Sequence, residues 1–157
     1  MARAFYVEVG ETVQFSKTIT ESDMAMFCAI SGDFDPIHVD EEHARGTPFG
    51  QRIVHGILSM ALLSTVSSMI SKRALERGSC GTSVSMGYDR IRFLKPVFLG
   101  DTLTARYTIA ELDPVNSRSR SKVEVVNQRH ELVVAGEHLM KWLPPESCKR
   151  DANASVA

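Results

Sequence analysis

Ile53-Val-His-Gly-Ile-Leu-Ser-Met-Ala-Leu-Leu-Ser-Thr-Val-Ser-Ser-Met-Ile-Ser-Lys72 is the stretch that decides the architecture. Ile57, Leu58, Ala61, Leu62, Val66 and Met69 sit at helical spacing but spread around most of the circumference. That pattern predicts a helix over residues 53–72 that is buried on nearly every side. The run also holds His55, Gly56, Ser59, Ser64, Thr65, Ser67 and Ser68, so it is too short and too polar for a membrane span. A helix of this kind needs a wrapper, and the sequence downstream supplies one. Residues 83–97, 102–109, 118–127 and 132–142 favour extended structure and are separated by Leu99-Gly-Asp101, Asp113-Pro-Val-Asn116 and Gln128-Arg-His130. Arg118-Ser-Arg-Ser-Lys-Val-Glu-Val-Val126 alternates until it turns apolar, as a strand with one wet face does.

Upstream, residues 13–18 read as a strand with Val13 and Phe15 on one side. Thr20 is placed to cap a helix, because Asp23 three residues on completes a capping-box variant. Met24, Phe27 and Cys28 follow at helical spacing, and the helix should stop near Ser31-Gly32. Residues 33–50 are loop-rich, carrying Pro36, Gly46, Pro48 and Gly50, with a short helix expected in Asp40-Glu-Glu-His-Ala44. The expected order is one strand, a helical segment and an antiparallel meander around a buried helix, an α+β arrangement.

The chain has 157 residues, enough for one domain, expected over residues 1–143 with a flexible tail at 144–157. Eighteen basic residues against 19 acidic ones give a net charge of -1, which is no footprint for nucleic acid. Cys28, Cys80 and Cys148 are odd in number and widely spaced, against a disulfide framework or a structural zinc site. The first residues lack the apolar run of a secretory signal, so a cytoplasmic location is expected, with no membrane partner.

Two stretches carry chemistry. The first is Ser31-Gly-Asp-Phe-Asp-Pro-Ile-His-Val-Asp40, where Asp33 and His38 lie five residues apart across Pro36. A carboxylate and an imidazole make an acid–base pair with ordinary pKa values of about 3.9 and 6.5. The alternative is that Asp33 and Asp35 form Asx turns after a helix end and His38 is a surface residue. The second is Arg52-Ile-Val-His-Gly-Ile-Leu-Ser59. Gly56 has no Cβ, so a ligand could approach the free N–H groups of the first helical turn, where partial negative charge is favoured. Close packing against the sheet explains the glycine equally well. Ser64 could donate toward a catalytic group or bond back to its own helix. His43, His55, His38 and Asp40 match no metal-ligand spacing, so no metal is expected. Arg90, Arg92 and Lys95 alternate along one strand and could meet a substrate phosphate, or form a solvated face. Cys28 reads as core, and no nucleotide or serine-hydrolase motif occurs.

Gly32-Asp-Phe-Asp-Pro-Ile-His38, then Arg52-Ile-Val-His-Gly-Ile-Leu-Ser59, then Phe93-Leu-Lys-Pro-Val-Phe-Leu-Gly-Asp101, in this order and spacing, resemble the MaoC-like family, which includes the (R)-specific enoyl-CoA hydratases. The likeness runs over residues 13–143. It implies a hot-dog fold, an antiparallel sheet wrapped around a long central helix, and homodimers or higher homo-oligomers with active sites between subunits. It also implies reversible addition of water to a trans-2-enoyl-CoA, giving an (R)-3-hydroxyacyl-CoA. No cofactor takes part, coenzyme A being part of the substrate.

Carried onto the matching positions, Asp33 and His38 are the catalytic pair, Gly56 supplies an oxyanion-hole N–H, and Ser64 stands where the hydratases keep a supporting serine. His55 belongs to the same support. Asp35 is a departure, because the family's motif usually has Asn there, and an ionised carboxylate accepts hydrogen bonds but cannot donate them. Facing Asp33, it would raise one of the two pKa values. Facing away, it would cap the loop. The rival readings are a hot-dog acyl-CoA thioesterase, which would release thiol, and a non-catalytic acyl-thioester-binding subunit.

Overall fold

The computed structural model describes residues 5–144, so the expected tail lies outside the described residues except for Pro144. Nine elements follow in order: β1 (Thr12–Thr18), α1 (Glu21–Ser31), α2 (Pro36–Val39), α3 (Glu41–Arg45), α4 (Gly56–Glu76), β2 (Thr82–Phe93), β3 (Thr102–Asp113), β4 (Arg118–Val126) and β5 (Leu132–Leu143). The five strands form one antiparallel sheet in the order β1-β3-β4-β5-β2. Only β3, β4 and β5 make the expected meander, since β2 pairs with β5 at the far edge and leaves its other side open.

Each helix end has a local cause. The capping box at α1 forms as the sequence predicts: Asp23 N donates to Thr20 Oγ1 at 3.3 Å, and Thr20 N donates to Asp23 Oδ2 at 2.8 Å. Gly32 closes α1 with φ of 76°, a left-handed value that glycine adopts without strain. The sequence reading treats residues 33–39 as loop, but Pro36 begins the short helix α2. Proline has a preset φ and no N–H to satisfy at a first helical position, and Asp35 caps it by accepting from Ile37 N at 3.0 Å. Asp40 caps α3 in the same way, through His43 N at 3.0 Å.

The long helix α4 starts three residues later than predicted and runs four further. Ile53 and Val54 are taken by extended pairing, Ile53 bridging Phe98 and Val54 N donating to Val97 O at 2.7 Å. The expectation of burial all round is also corrected. Leu62, Leu63, Val66, Ile70 and Ala74 are buried against the sheet, whereas Ile57 is 56% exposed and Met69 37%. One chain's sheet covers only one side of the helix. The buried side contributes roughly 1.5–3 kcal/mol for each large aliphatic residue. It packs on Val13, Leu103, Ala105, Tyr107, Val123, Val125 and Val133.

A polar chain runs from the core to the surface, through Tyr107 and His138 to exposed Ser85. His138 is fully buried; its Nδ1 lies 2.8 Å from Tyr107 Oη and its Nε2 lies 2.7 Å from Ser85 Oγ. Burial pushes the His138 pKa down to about 4 and that of Tyr107 up to about 12. No helix among the described residues is long and apolar enough to cross a membrane.

Candidate active site

The loop after α1 and the start of α4 meet at one end of the sheet. Arg52 fastens the two. Its guanidinium forks onto Glu21 of α1 at 2.8 and 2.9 Å and reaches Glu41 of α3 at 3.3 Å. Hydrogen bonds and charge from Arg52 hold the Glu21 carboxyl below its ordinary pKa. The sequence reading gives Arg52 no role; a cation followed three residues later by a buried histidine carries no signal of what it will pair with. Asp101 anchors the opposite wall, accepting from Phe98 N at 2.9 Å while Gln128 donates to its other oxygen at 2.5 Å.

Within this frame Asp33, His38 and His55 converge, with one polar atom of each lying within 4.8 Å of the others. The Asp33 carboxylate is half exposed, and its Oδ2 is 3.6 Å from His55 Nε2. The two imidazoles stack at 3.7 Å between centroids with 28° between planes, and Phe27 packs on the far side of His55 at 4.6 Å. His38 Nδ1 lies 2.8 Å from the Ile53 carbonyl oxygen. A carbonyl only accepts, so Nδ1 carries the proton and Nε2 is left as the accepting nitrogen.

His55 is 2% exposed and its Nδ1 has no hydrogen-bond partner. Burial, and then electrostatic coupling to the protonatable ring of His38, push its pKa down, partly opposed by Asp33. It is a neutral ring near pH 7. As a metal cradle the trio is badly shaped. A metal must lie near both ring planes at bonding distance, and planes this close and this nearly parallel do not meet there. His43 and Asp40 stand outside the trio, Asp40 being spent as the cap of α3.

Asp35 is used as a helix cap. Its side chain caps α2, while its backbone N donates to Asp33 Oδ1 at 3.2 Å. As a cap the carboxylate does what Asn would do.

A cavity of about 330 Å³ opens beside the trio, lined by His38, Gly56, Ser59 and the apolar side chains of Phe49, Phe93 and Val134 among others. Gly56 opens α4, and no side chain caps that terminus, so its first N–H groups are left for a ligand. Its lack of a side chain has a packing reason as well: a Cβ there would stand 2.9 Å from the Phe93 ring. Both explanations of Gly56 thus have structural support. Ser64 is not brought to the trio. It lies eight residues beyond Gly56, about 12 Å along the axis at 1.5 Å per residue, and borders a separate cavity with Thr65, Ser68, Met69 and Lys72. Ser59, less than one turn into the helix, is the serine on the cavity wall, and its Oγ bonds back to His55 O at 3.4 Å.

Of the three cations expected to meet phosphate, Lys95 pairs with Glu131 at 2.7 Å and Arg90 lies 3.5 Å from Glu137. Arg92 has only the carbonyl of Ile91 as a hydrogen-bond partner among the described residues, at 2.8 Å.

The MaoC like domain matches residues 5–133. The chain belongs to this family. Its relatives include the 3-hydroxybutyryl-CoA dehydratase of Methylorubrum extorquens, 36% identical over 86% of this chain and 80% of that one. The (R)-specific enoyl-CoA hydratase of Aeromonas caviae is 32% identical over 86% of this chain and 95% of the relative. Among solved structures, the (R)-hydratase of A. caviae superposes with a TM-score of 0.76 at 32% identity, covering 88% of this chain and 98% of that one. The unliganded R-hydratase of Pseudomonas aeruginosa gives 0.74 at 33%, covering 90% and 86%. The hot-dog fold implied by the motifs is the fold found. In this MaoC-like chain the sheet curls over α4 as expected, on one side of it.

Proposed function

We propose that this MaoC-like protein is a hydratase/dehydratase that reversibly adds water to a trans-2-enoyl-CoA to give an (R)-3-hydroxyacyl-CoA. The observation that carries the reading is the convergence of Asp33 on His38, where His38 and the uncapped helix N-terminus at Gly56 line an apolar cavity. The acyl chain occupies the cavity. The thioester oxygen faces the first N–H groups of α4, at Gly56, which stabilise the negative charge that builds there as C3 is attacked. Water lies against Asp33 and His38. One of the pair takes a proton from water as its oxygen bonds to C3, and the pair delivers a proton to C2. His38 enters this step with Nε2 free to accept, because the Ile53 carbonyl holds the other nitrogen protonated.

His55 is a positioning residue in this reading: buried, neutral and stacked on His38, it fixes the plane of the reacting ring. The step assigns no work to a metal or redox cofactor. Two copies are needed to finish the molecule. The outer side of α4 (Ile57, Met69) and the open edge strand β2 (Val84, Met86) leave apolar side chains in water, a distribution that suits a homodimer.

A panel of trans-2-enoyl-CoA substrates tests the proposal, followed by loss of the conjugated thioester absorbance with thiol release measured in parallel. Loss of absorbance without thiol, and an (R)-3-hydroxy product, are expected. Thiol release would identify a thioesterase, and binding without either change a non-catalytic subunit.

A further inference from the structure

The outer face of the sheet, opposite α4, carries a second cavity. It measures about 510 Å³, and Leu94 lines both. The charged side chains lining this groove are Arg90, Arg92, Lys122 and Glu137, an excess of positive charge. Glu137 is shared between Arg90 and Arg120, and Lys122 reaches Glu124 at 2.7 Å. Arg92 has no carboxylate partner among the described residues.

The backbone is built to put Arg92 there. Asp89 pairs with Glu137 and Arg92 with Ala135, three steps along β2 against two along β5. The extra residue is absorbed at Arg90, whose φ of 55° is left-handed. Without that bulge Arg92 would oppose buried Val134 and face α4; with it, Arg92 shares the outer face with Ala135 and Glu137. A strained backbone that turns a guanidinium without a carboxylate partner onto a groove sharing Leu94 with the site is a device for holding an anion.

We propose that this groove receives the phosphate groups of the coenzyme A portion of the substrate, with Arg92 as their principal contact. The inference rests on the hydratase reading for the direction of the substrate: with the thioester at Gly56 and the acyl chain in the first cavity, the carrier leaves past Leu94. The forked guanidinium matches phosphate oxygens two at a time, as an ammonium does not. Lys95, bound to Glu131, has no part in it.

The test uses the full chain and two thioesters of the same enoyl group, one on coenzyme A and one on pantetheine, which lacks the nucleotide. Arg92→Ala should raise KM for the coenzyme A thioester about 10-fold, the size of one lost charge-assisted hydrogen bond, with kcat unchanged. It should leave both constants for the pantetheine thioester as they were. Calorimetric titration with adenosine 3′,5′-bisphosphate should show binding to the wild type that Arg92→Ala loses and Arg92→Lys recovers only in part. An unchanged KM for the coenzyme A thioester, or equal changes on both thioesters, overturns the assignment. So does an Arg92→Ala defect confined to an acyl carrier protein thioester, which would give the groove to an acidic protein. Should the wild type turn over neither thioester, the hydratase reading fails, and the bisphosphate titration still decides the groove.

Discussion

Acidification should weaken this protein through one buried ring. His138 titrates at about 4 in the folded chain against 6.5 ordinarily, because burial opposes its charged form. The unfolded chain therefore binds more protons than the folded one between those values, and stability falls as pH is lowered through that window. Integrating the single-site linkage gives a loss of about 2 kcal/mol at pH 5 and about 3 kcal/mol at pH 4, relative to pH above 7. His55, whose pKa is also depressed, adds in the same direction. The upper part of the window is the cleaner one, since it lies above the range in which Glu131, with a folded pKa of about 2, begins to lose its own contribution.

Urea unfolding at fixed protein concentration, at pH 7 and pH 5, measures the loss. His138→Gln removes the titration while keeping a polar group beside Tyr107 and Ser85. That variant should be less stable than wild type at pH 7, yet lose about 2 kcal/mol less on going to pH 5. Parallel losses in the two proteins would refute the argument that burial of this ring sets the acid sensitivity.

Asp35→Asn should leave stability within a few tenths of a kcal/mol because Asn also caps α2, whereas Asp35→Ala should cost about 1 kcal/mol, both read from urea midpoints. Gly56→Ala drives a methyl into the Phe93 ring and should cost about 1–3 kcal/mol; Phe93→Ala in the same chain should relieve most of it, a coupling that a double-mutant cycle measures. Tyr107→Phe strips the partner from His138 Nδ1 in the core and should cost about 1–3 kcal/mol in the same assay.

What could be read in advance was what local chemistry controls. Thr20 with Asp23, Gly32 and Asp40 each mark a helix end by a mechanism that needs no tertiary partner, and each end is where its residue puts it. Alternation in β4 likewise survives, with Ser119, Ser121, Val123 and Val125 turned inward. Periodicity could not show that the apolar outer side of α4 is left uncovered by its own sheet, since Ile57 and Leu62 are the same kind of residue to a hydropathy pattern. Nor could it show that β2 crosses to the far edge beside β5.

Within the site, the spacing of Asp33 and His38 across Pro36 fitted Asx turns as well as a pair, and the carboxylates of Asp33 and Asp35 do both accept from backbone N–H groups two residues on; only the motif resemblance singled out the pair. The third member, His55, comes from a different element, and only the fold stacks it on His38. Ser64 lies two turns from the helix start and lines a separate cavity of its own chain, a placement that spacing along α4 already implied. Arg92 marks a limit, because the bulge that reverses its facing has no signature in Asp89-Arg-Ile-Arg92.

The most direct test of the central claim is the hydration rate of a short trans-2-enoyl-CoA by wild type, Asp33→Asn and His38→Ala. The account predicts that wild type turns over, and that each variant loses roughly 100- to 10000-fold in kcat while unfolding at close to the wild-type urea midpoint. Variants that keep near-wild-type rates would contradict it, as would a wild type that hydrates no enoyl-CoA at any chain length.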